Sequence, residues 1–226
     1  MQSEGVVGPQ VNSDGVQNPV RMGKGGEQIV GQLHGRFYEA NYRGSLFSIG
    51  CALTALSANT ITLTSSSTPI LGVWNPASNT VNLVILQIAL VAQPNAIGAT
   101  TGPGPFLLAS SVGNSALTLG SAPFNRKTLT STGSSAKAFP GGVALTGLTN
   151  NVVVFEGVEL PDVAGLATGA VTASTADPTQ FKGFAGRVDF DGGLIVPPGG
   201  VLSLINSTST TSFSVAGRMI WEEVAL

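Results

Sequence analysis

Residues 184–204 read FAGRVDFDGGLIVPPGGVLSL, and this stretch indicates the fold class. Its first half alternates with a period of two, because Val188 and Phe190 fall on one face of an extended chain and Arg187 and Asp189 on the other. Such alternation is typical of an antiparallel strand with one buried face and one solvated face. The stretch therefore predicts a half-buried β-strand that leads into a tight reversal.

The reversal follows from the sequence Pro-Pro-Gly-Gly. Pro197 and Pro198 fix φ and lack an N–H donor, so a strand ladder cannot continue through them. Gly199 and Gly200 accept the positive φ that a reversal requires. Leu202 then resumes the apolar face at once. We expect this turn to fix the register of the two strands beside it, since a slip of one residue would turn both apolar faces outward.

Other segments repeat the β pattern between clusters of Gly, Pro, Asn and Ser. SFSVAGRMIWEEV (residues 212–224) alternates, and VNLVILQIALVA (81–92) is apolar on both faces, as in a strand covered on both sides. GQLHGRFYEA (31–40) and NVVVFEGVEL (151–160) are weaker strand candidates. Short helical turns fit only residues 105–113 and 161–171. Short strands separated by frequent turns predict an all-β sandwich or barrel.

Composition restricts the possible functions. The 226 residues are 42% hydrophobic, enough for a core, but only 10% charged, and the net charge of −2 gives no field that attracts nucleic acid. No Lys, Arg, Asp, Glu or His occurs between Gly44 and Asn125. This stretch of the chain supplies no general acid or base. Hydroxyls and amides must solvate its surface, or another chain must cover it.

Catalytic and metal-binding groups are scarce. His34 is the single histidine and Cys51 the single cysteine, so zinc sites built from paired cysteines and an internal disulfide are both excluded. We interpret Cys51 as a small buried hydrophobe and His34 as a structural or surface residue. No G-x-S-x-G or phosphate-binding loop spacing is present. We predict no enzyme activity, no cofactor and no metal.

The carboxylates and tryptophans also have structural interpretations. Glu156 and Glu159 are three residues apart, which places them on opposite faces of a strand and disfavours a glycosidase pair. Asp191 begins an Asp-Gly-Gly sequence that we expect to close a hairpin rather than to bind calcium. Trp74 and Trp221 are expected to be core or rim anchors.

The chain divides into an N-terminal arm, residues 1–28, and a domain, residues 29–226, with a loop-rich insertion at about 97–151. The arm is rich in glycine and either stays disordered or becomes ordered on a partner or a neighbouring subunit. No signal peptide is visible, and the longest apolar run is far shorter than the roughly 20 residues of a membrane helix. Basic residues in the arm and the insertion are candidate partner contacts, against the alternative of solvated loop charge: Arg21, Lys24, Arg126, Lys127 and Lys137.

Four stretches resemble a family of virion structural proteins of tailed bacteriophages. They are LHGRFYEANYRGSLFS (33–48), TPILGVWNPASNTVNLVILQIALV (68–91), LIVPPGGVLSL (194–204) and VAGRMIWEEV (215–224). Within them, the W-N-P sequence, the P-G-G-x-L-x-L turn and the final W-E-E-V strand carry most of the likeness. The arm lies outside it.

The resemblance implies a single antiparallel jelly-roll β-sandwich. It also implies a homotrimer on the outside of the phage capsid, where the protein acts as a cement or decoration protein. The implied partners are the major capsid protein and further copies of this chain, without nucleic acid or membrane. The protein would be made in the host cytoplasm and located in the virion. A tail-fibre or receptor-binding jelly roll that recognises host surface glycans is the alternative, followed by a carbohydrate-active enzyme.

Overall fold

The structure is a computed structural model, and it divides by internal contacts into two compact units, Met1–Glu39 and Ala40–Leu226. The residues that it describes are 35–53, 68–94, 106–113, 117, 122–141, 145–149, 153–158, 184–206 and 213–226. The predicted arm, residues 1–28, lies outside them, as does His34. Among the described residues, no helix is long and apolar enough to cross a membrane.

One short helix and ten strands make up the described structure. The helix is α1 (Tyr38–Arg43). The strands are β1 (Leu46–Leu53), β2 (Leu71–Trp74), β3 (Val81–Pro94), β4 (Phe106–Val112), β5 (Phe124–Asn125), β6 (Lys137–Pro140), β7 (Val153–Val158), β8 (Phe184–Val196), β9 (Gly200–Asn206) and β10 (Phe213–Ala225).

The strands form two five-stranded sheets. The first has the order β5-β1-β10-β3-β8 and the second the order β6-β2-β9-β4-β7. Each described strand pairing is antiparallel. Side chains of both sheets meet in one continuous apolar core. The all-β class and the antiparallel two-sheet architecture predicted from the sequence are therefore confirmed.

Strand β10 is the centre of the first sheet and follows the predicted alternation. Phe213, Val215, Met219 and Trp221 are buried between the sheets, with Trp221 stacked on Phe47 at a centroid distance of 6.4 Å. Their even spacing puts them all on the core side of the pleat. The predicted core position of Trp221 is confirmed.

Strand β3 contains a bulge that changes which of its residues face inward. The register with β10 shifts between Ile220 and Trp221, so that Leu86 has no cross-strand partner there. Leu86 and the neighbouring Gln87 are both buried, whereas Val91, farther along, is 47% exposed. Within the single chain both faces of this strand are covered at its centre, whereas at Val91 the outer face of the sheet is open, and the expected cover by a neighbouring subunit stays a prediction.

The predicted insertion, residues 97–151, contains β4 of the second sheet, and the part that follows β4 extends both sheets and covers one of them. β5 adds to the first sheet beside β1, and β6 adds to the second beside β2. The ring of Phe139 on β6 lies over Gly72 on β2, where an added Cβ would meet it. Leu117 and Leu145 pack with Trp74 and Phe139 on the same outer face. The insertion therefore shields the outer face of the second sheet.

Three local predictions are wrong. Residues 38–40, the end of the predicted strand 31–40, belong to α1 instead. This helix ends in a Schellman motif in which Gly44 has φ +77° and the Ser45 amide donates to the Ala40 carbonyl at 3.1 Å. Most of residues 105–113, predicted as a helical turn, form β4, because pairing with β9 and β7 outweighs a weak local preference.

The third concerns the Asp-Gly-Gly sequence, which does not close a hairpin. Asp191 and Gly192 have the positive φ values of a turn, 53° and 87°. β8 nevertheless continues along β3, pairing up to Asp189 and again from Leu194, so the intervening residues form a bulge within one strand.

Candidate partner-binding surfaces

The structure places the predicted contact residues on different elements. Arg126 and Lys127 lie in the turn that follows β5, at the edge of the first sheet, and Lys137 lies on β6, at the edge of the second. Arg21 and Lys24 lie outside the described residues. Among the residues described, neither Arg126 nor Lys127 forms an ion pair. Lys127 is exposed and Arg126 is half-buried.

A buried asparagine builds that turn. Asn125 is only 6% exposed, and its Nδ2 donates to the Gly44 carbonyl at 2.8 Å. Its Oδ1 accepts from the amides of Lys127 (2.9 Å) and Thr128 (3.2 Å), which forms an Asx turn. The Leu129 amide donates to the Asn125 carbonyl at 3.0 Å. The turn is thus held on the body of the domain in one conformation.

The turn presents apolar groups as well as cations. Leu129 is 68% exposed and has φ +57°, a left-handed conformation that costs a residue other than glycine roughly 1–2 kcal/mol. Phe124 is 39% exposed, and the Tyr42 ring lies 5.1 Å below the Lys127 Nζ. A strained and exposed leucine that follows two cations in a tight turn is a candidate contact residue. We call residues 124–130 the Leu129 turn.

Sequence reasoning identified the two cations of the Leu129 turn but missed Asn125, Leu129 and Tyr42. The order Asn-Arg-Lys-Thr carries an Asx-turn signal that identifies Asn125 as the organising residue. Nothing in the sequence identifies Tyr42, because it reaches the turn from α1 through tertiary packing.

A second rigid region surrounds Asn75 of the W-N-P sequence. The Asn75 side chain is fully buried, and its Nδ2 donates to the carbonyls of Val81 (2.8 Å) and Val196 (3.0 Å). Its Oδ1 accepts from Asn79 Nδ2 at 2.8 Å. Its backbone N–H donates to the Gly200 carbonyl at 2.9 Å. One amide side chain therefore joins the β2–β3 connection to the β8–β9 turn.

The β8–β9 turn is a type II reversal, which agrees with the Pro-Gly order. The Gly200 amide donates to the Pro197 carbonyl at 2.9 Å, and Gly199 has φ +85° after Pro198. The prediction of positive φ is confirmed at Gly199 and wrong at Gly200. Gly200 is required for space instead, because an added Cβ would lie 2.9 Å from the Pro197 carbonyl oxygen.

The carboxylate of Glu223 holds the insertion against the same region. It accepts hydrogen bonds from Ser134 Oγ and from the amides of Ser135 and Ala136. Asn79 donates from its Nδ2 to the Ser135 carbonyl at 2.7 Å. The W-N-P, P-G-G and W-E-E-V sequences, which lie far apart in the chain, therefore converge on one polar network.

An apolar cleft of about 460 Å³ opens beside the β8–β9 turn. Ile195, 51% exposed, and Val112, 39% exposed, are its most accessible large side chains. The lining contains no charged side chain, and Ser110 and Ser111 supply its side-chain hydroxyls. Its lining residues are Ser110, Ser111, Val112, Leu194, Ile195, Val196, Pro197, Pro198, Gly199, Gly200, Val201 and Leu202. This composition suits an apolar occupant.

A hydrogen-bonded row crosses the outer face of the first sheet. Arg218 Nη2 donates to Gln87 Oε1 at 2.8 Å, and Gln87 Nε2 donates to Asp189 Oδ1 at 2.8 Å. Arg187 pairs with the same carboxylate, Nη2 to Oδ2 at 2.9 Å. The row crosses strands β10, β3 and β8, and it satisfies the polar groups of the buried Gln87.

The described residues offer little reactive chemistry. No group of three or more His, Cys, Asp or Glu is placed to hold a metal among them. Cys51 is half-buried and packs against the core, in agreement with its predicted role, and burial raises the pKa of its thiol to about 11. Glu159 and the side chain of Glu156 lie outside the described residues. The described residues instead form the exposed turn and the apolar cleft described above.

Comparisons with protein-family models, with curated proteins and with solved structures give no match for this chain. The interpretation of its surfaces therefore depends on its own residues. Two surfaces are the candidates for a partner contact, the Leu129 turn and the apolar cleft beside the β8–β9 turn. They are made by different elements of the second unit.

Proposed function

We propose that this protein is a structural virion protein of a tailed phage, a jelly-roll cement or decoration protein. It binds the outside of the capsid as a trimer and stabilises the contacts between major capsid subunits. In this role the protein needs no cofactor, metal or catalytic group. Its partners are the major capsid protein and its own copies.

The observation that carries the proposal is the order of the strands. With β5 and β6 of the insertion set aside, the sheets have the orders β1-β10-β3-β8 and β2-β9-β4-β7. Strands from the two ends of the chain thus lie side by side in both sheets, as they do when a sandwich is wound from two Greek keys. Jelly rolls of this kind are recurrent building blocks of viral capsids.

The polar network at the β8–β9 turn supports an assembly role. Asn75, Asn79 and Glu223 fix three connections through hydrogen bonds that include buried and charged groups. Three of the four sequences that resemble the phage family contribute to this network, residues 68–91, 194–204 and 215–224. A protein that reinforces a shell benefits from such rigidity, because little conformational entropy is then lost on binding.

The proposed mechanism uses several weak contacts together. Each subunit buries on the order of 800 Å² against its partner, the usual scale of a specific contact. Three linked subunits then bind with an avidity that exceeds the affinity of each, because the second and third contacts form at high effective concentration. Arg21, Lys24 and Lys137 are the proposed cationic contacts to an acidic capsid surface.

Binding of the purified protein to expanded capsids tests the proposal. The number of bound copies is measured for the full chain, for a variant that lacks residues 1–24, and for Lys137→Glu. We expect the full chain to saturate a fixed number of sites, and we expect each change to reduce occupancy. The matched control is Arg187→Glu, which reverses a charge on the outer face of the first sheet. Absence of saturable binding by the full chain would contradict the function, and unchanged occupancy of the shortened chain would remove the arm from the mechanism.

A further inference from the structure

We infer that the Leu129 turn of one copy of this chain docks into the apolar cleft beside the β8–β9 turn of a second copy. The inference rests on the proposed function only for the number of copies, three, that close the ring. Both surfaces belong to the second unit, Ala40–Leu226. The contact is assigned from their chemistry and their positions in the fold.

The Leu129 turn has the properties of an inserted anchor. Leu129 is 68% exposed on a turn whose conformation is fixed by Asn125, so an apolar side chain is held away from the core at the cost of backbone strain. Phe124 adds a second exposed apolar group on the same turn. Rigid presentation lowers the entropy lost on binding, and buried apolar anchors supply most of the energy of an interface.

The cleft has the complementary properties. Its volume of about 460 Å³ is open to solvent, and its accessible side chains include Ile195 and Val112. The lining carries no charge that an entering leucine would desolvate. Filling it removes from water exposed apolar side chains that belong to both copies, which favours association.

The segments that hold the two surfaces carry charges of opposite sign. The turn carries Arg126 and Lys127, and β8 carries Asp191, which is exposed and has its own contact within the chain, four residues before Ile195 of the cleft. In the proposed contact the two cations face the segment of β8 that holds Asp191. Complementary potentials of this kind orient an interface and accelerate its formation.

The two surfaces also occupy suitable positions. The turn follows β5, at one edge of the first sheet, and the cleft borders β8, at the opposite edge. A contact between two different surfaces of identical chains is heterologous, and such contacts repeat around a ring when the rotation closes. A ring of three copies leaves neither surface exposed. The partner that Arg126 and Lys127 contact is then another copy of this chain rather than the capsid.

The test measures the mass of the protein in solution by sedimentation velocity over a range of concentrations. We expect the wild type to sediment as a trimer. Leu129→Asp and Ile195→Asp should each raise the dissociation constant by about 30-fold or more, which is the loss expected for one hot-spot side chain. The control Val91→Asp places the same charge at an exposed valine of β3 and should leave the trimer intact. A monomeric wild type, or variants as trimeric as the control, would overturn the inference.

Mixing the variants distinguishes this contact from a symmetrical one. Leu129→Asp keeps an intact cleft and Ile195→Asp keeps an intact turn, so the equimolar mixture should contain a dimer with one copy of each, although each variant alone is monomeric. If no mixed dimer forms, the turn and the cleft are not partners. A second pair of substitutions distinguishes loss of the contact from misfolding. Arg126→Glu should weaken the trimer, and adding Asp191→Arg to the same chain should restore it. Failure of this rescue would count against the contact.

Capsid binding is measured separately, which keeps the two ideas apart. Loss of the trimer in Leu129→Asp together with weaker capsid binding supports both, because avidity needs linked subunits. If the trimer stays intact in Leu129→Asp and the protein still saturates its sites on capsids, the inference is overturned and the proposed function stands. If Leu129→Asp dissociates the trimer as expected but the wild type binds no capsid, the inference is supported and the proposed function is overturned.

Discussion

Replacement of Asn75 by alanine should remove a large part of the stability of the domain. The side chain is fully buried and makes three hydrogen bonds, two donated to the carbonyls of Val81 and Val196 and one accepted from Asn79. Each buried carbonyl that loses its donor costs roughly 1–3 kcal/mol, so we expect Asn75→Ala to destabilise the fold by about 4 kcal/mol. The whole stability of a domain is commonly about 5–15 kcal/mol.

Aspartate at the same position provides a sharper comparison. Asn75→Asp keeps the shape and the acceptor but turns the donor into an oxygen that faces two carbonyls, so we expect it to be worse than Asn75→Ala. The matched control is Asn82→Ala on β3, because the half-buried Asn82 side chain makes no hydrogen bond to the described residues. We expect that control to change stability by less than about 0.5 kcal/mol.

Urea denaturation at a fixed protein concentration measures these effects, since the stability of an oligomer depends on concentration. With a slope of about 2 kcal/mol per molar urea, Asn75→Ala should lower the midpoint by about 2 M. If Asn75→Ala shifts the midpoint no more than Asn82→Ala does, the hydrogen bonds of Asn75 do not stabilise the fold. If Asn75→Asp destabilises the fold less than Asn75→Ala does, the donor to the two carbonyls has no role.

Three further changes test other parts of the structure. Gly72→Ala should destabilise the fold by about 3 kcal/mol in the same urea assay, because the new methyl group meets a β6 phenylalanine ring and a β9 carbonyl oxygen; the control Gly50→Ala, whose nearest contact is at 3.5 Å, should have little effect, and equal shifts would contradict the packing. Glu223→Gln should lower the local stability of residues 134–136 by about 1–2 kcal/mol, because its hydrogen bonds to the insertion are weaker. Hydrogen exchange of the amides of residues 134–136 measures this loss. Unchanged protection there would show that the carboxylate does not hold the insertion. Burial raises the pKa of Cys51 from 9.0 to about 11, so alkylation of the folded protein should rise with a midpoint near pH 11 and that of the urea-unfolded chain near pH 9.0. Because the thiol of the unfolded chain ionises first, the contribution of Cys51 to stability is lost as the pH rises above 9.0. A midpoint near pH 9.0 for the folded protein would rule out the burial of Cys51.

The alternation of apolar residues predicted the central strands because it depends on burial on one face. Phe213, Val215 and Trp221 take the positions that a period of two requires. The same reasoning failed for α1 and β4, where the local signals were weak and tertiary context decided. It also failed at the bulge after Asp189, since a turn sequence shows only that φ is positive and not whether the strand ends there.

The candidate surfaces were predictable only in part. Arg126 and Lys127 stand out in the sequence because their surroundings are uncharged. The roles of Asn75 and Glu223 do not, because their hydrogen-bond partners lie far away in the chain: Val196 is 121 residues from Asn75 and Ser135 is 88 residues from Glu223. Such contacts depend on the register of several strands together, and a local pattern does not encode that register.

The proposed function makes this protein a component of a phage capsid, and its number of copies in purified virions decides whether it is one. Quantitative mass spectrometry of virions gives the molar ratio of this protein to the major capsid protein. We predict a fixed simple ratio, with three copies at each occupied site, and the same ratio in tailless capsids. Absence from virions, or a small number of copies that disappear when the tails are removed, would contradict the claim.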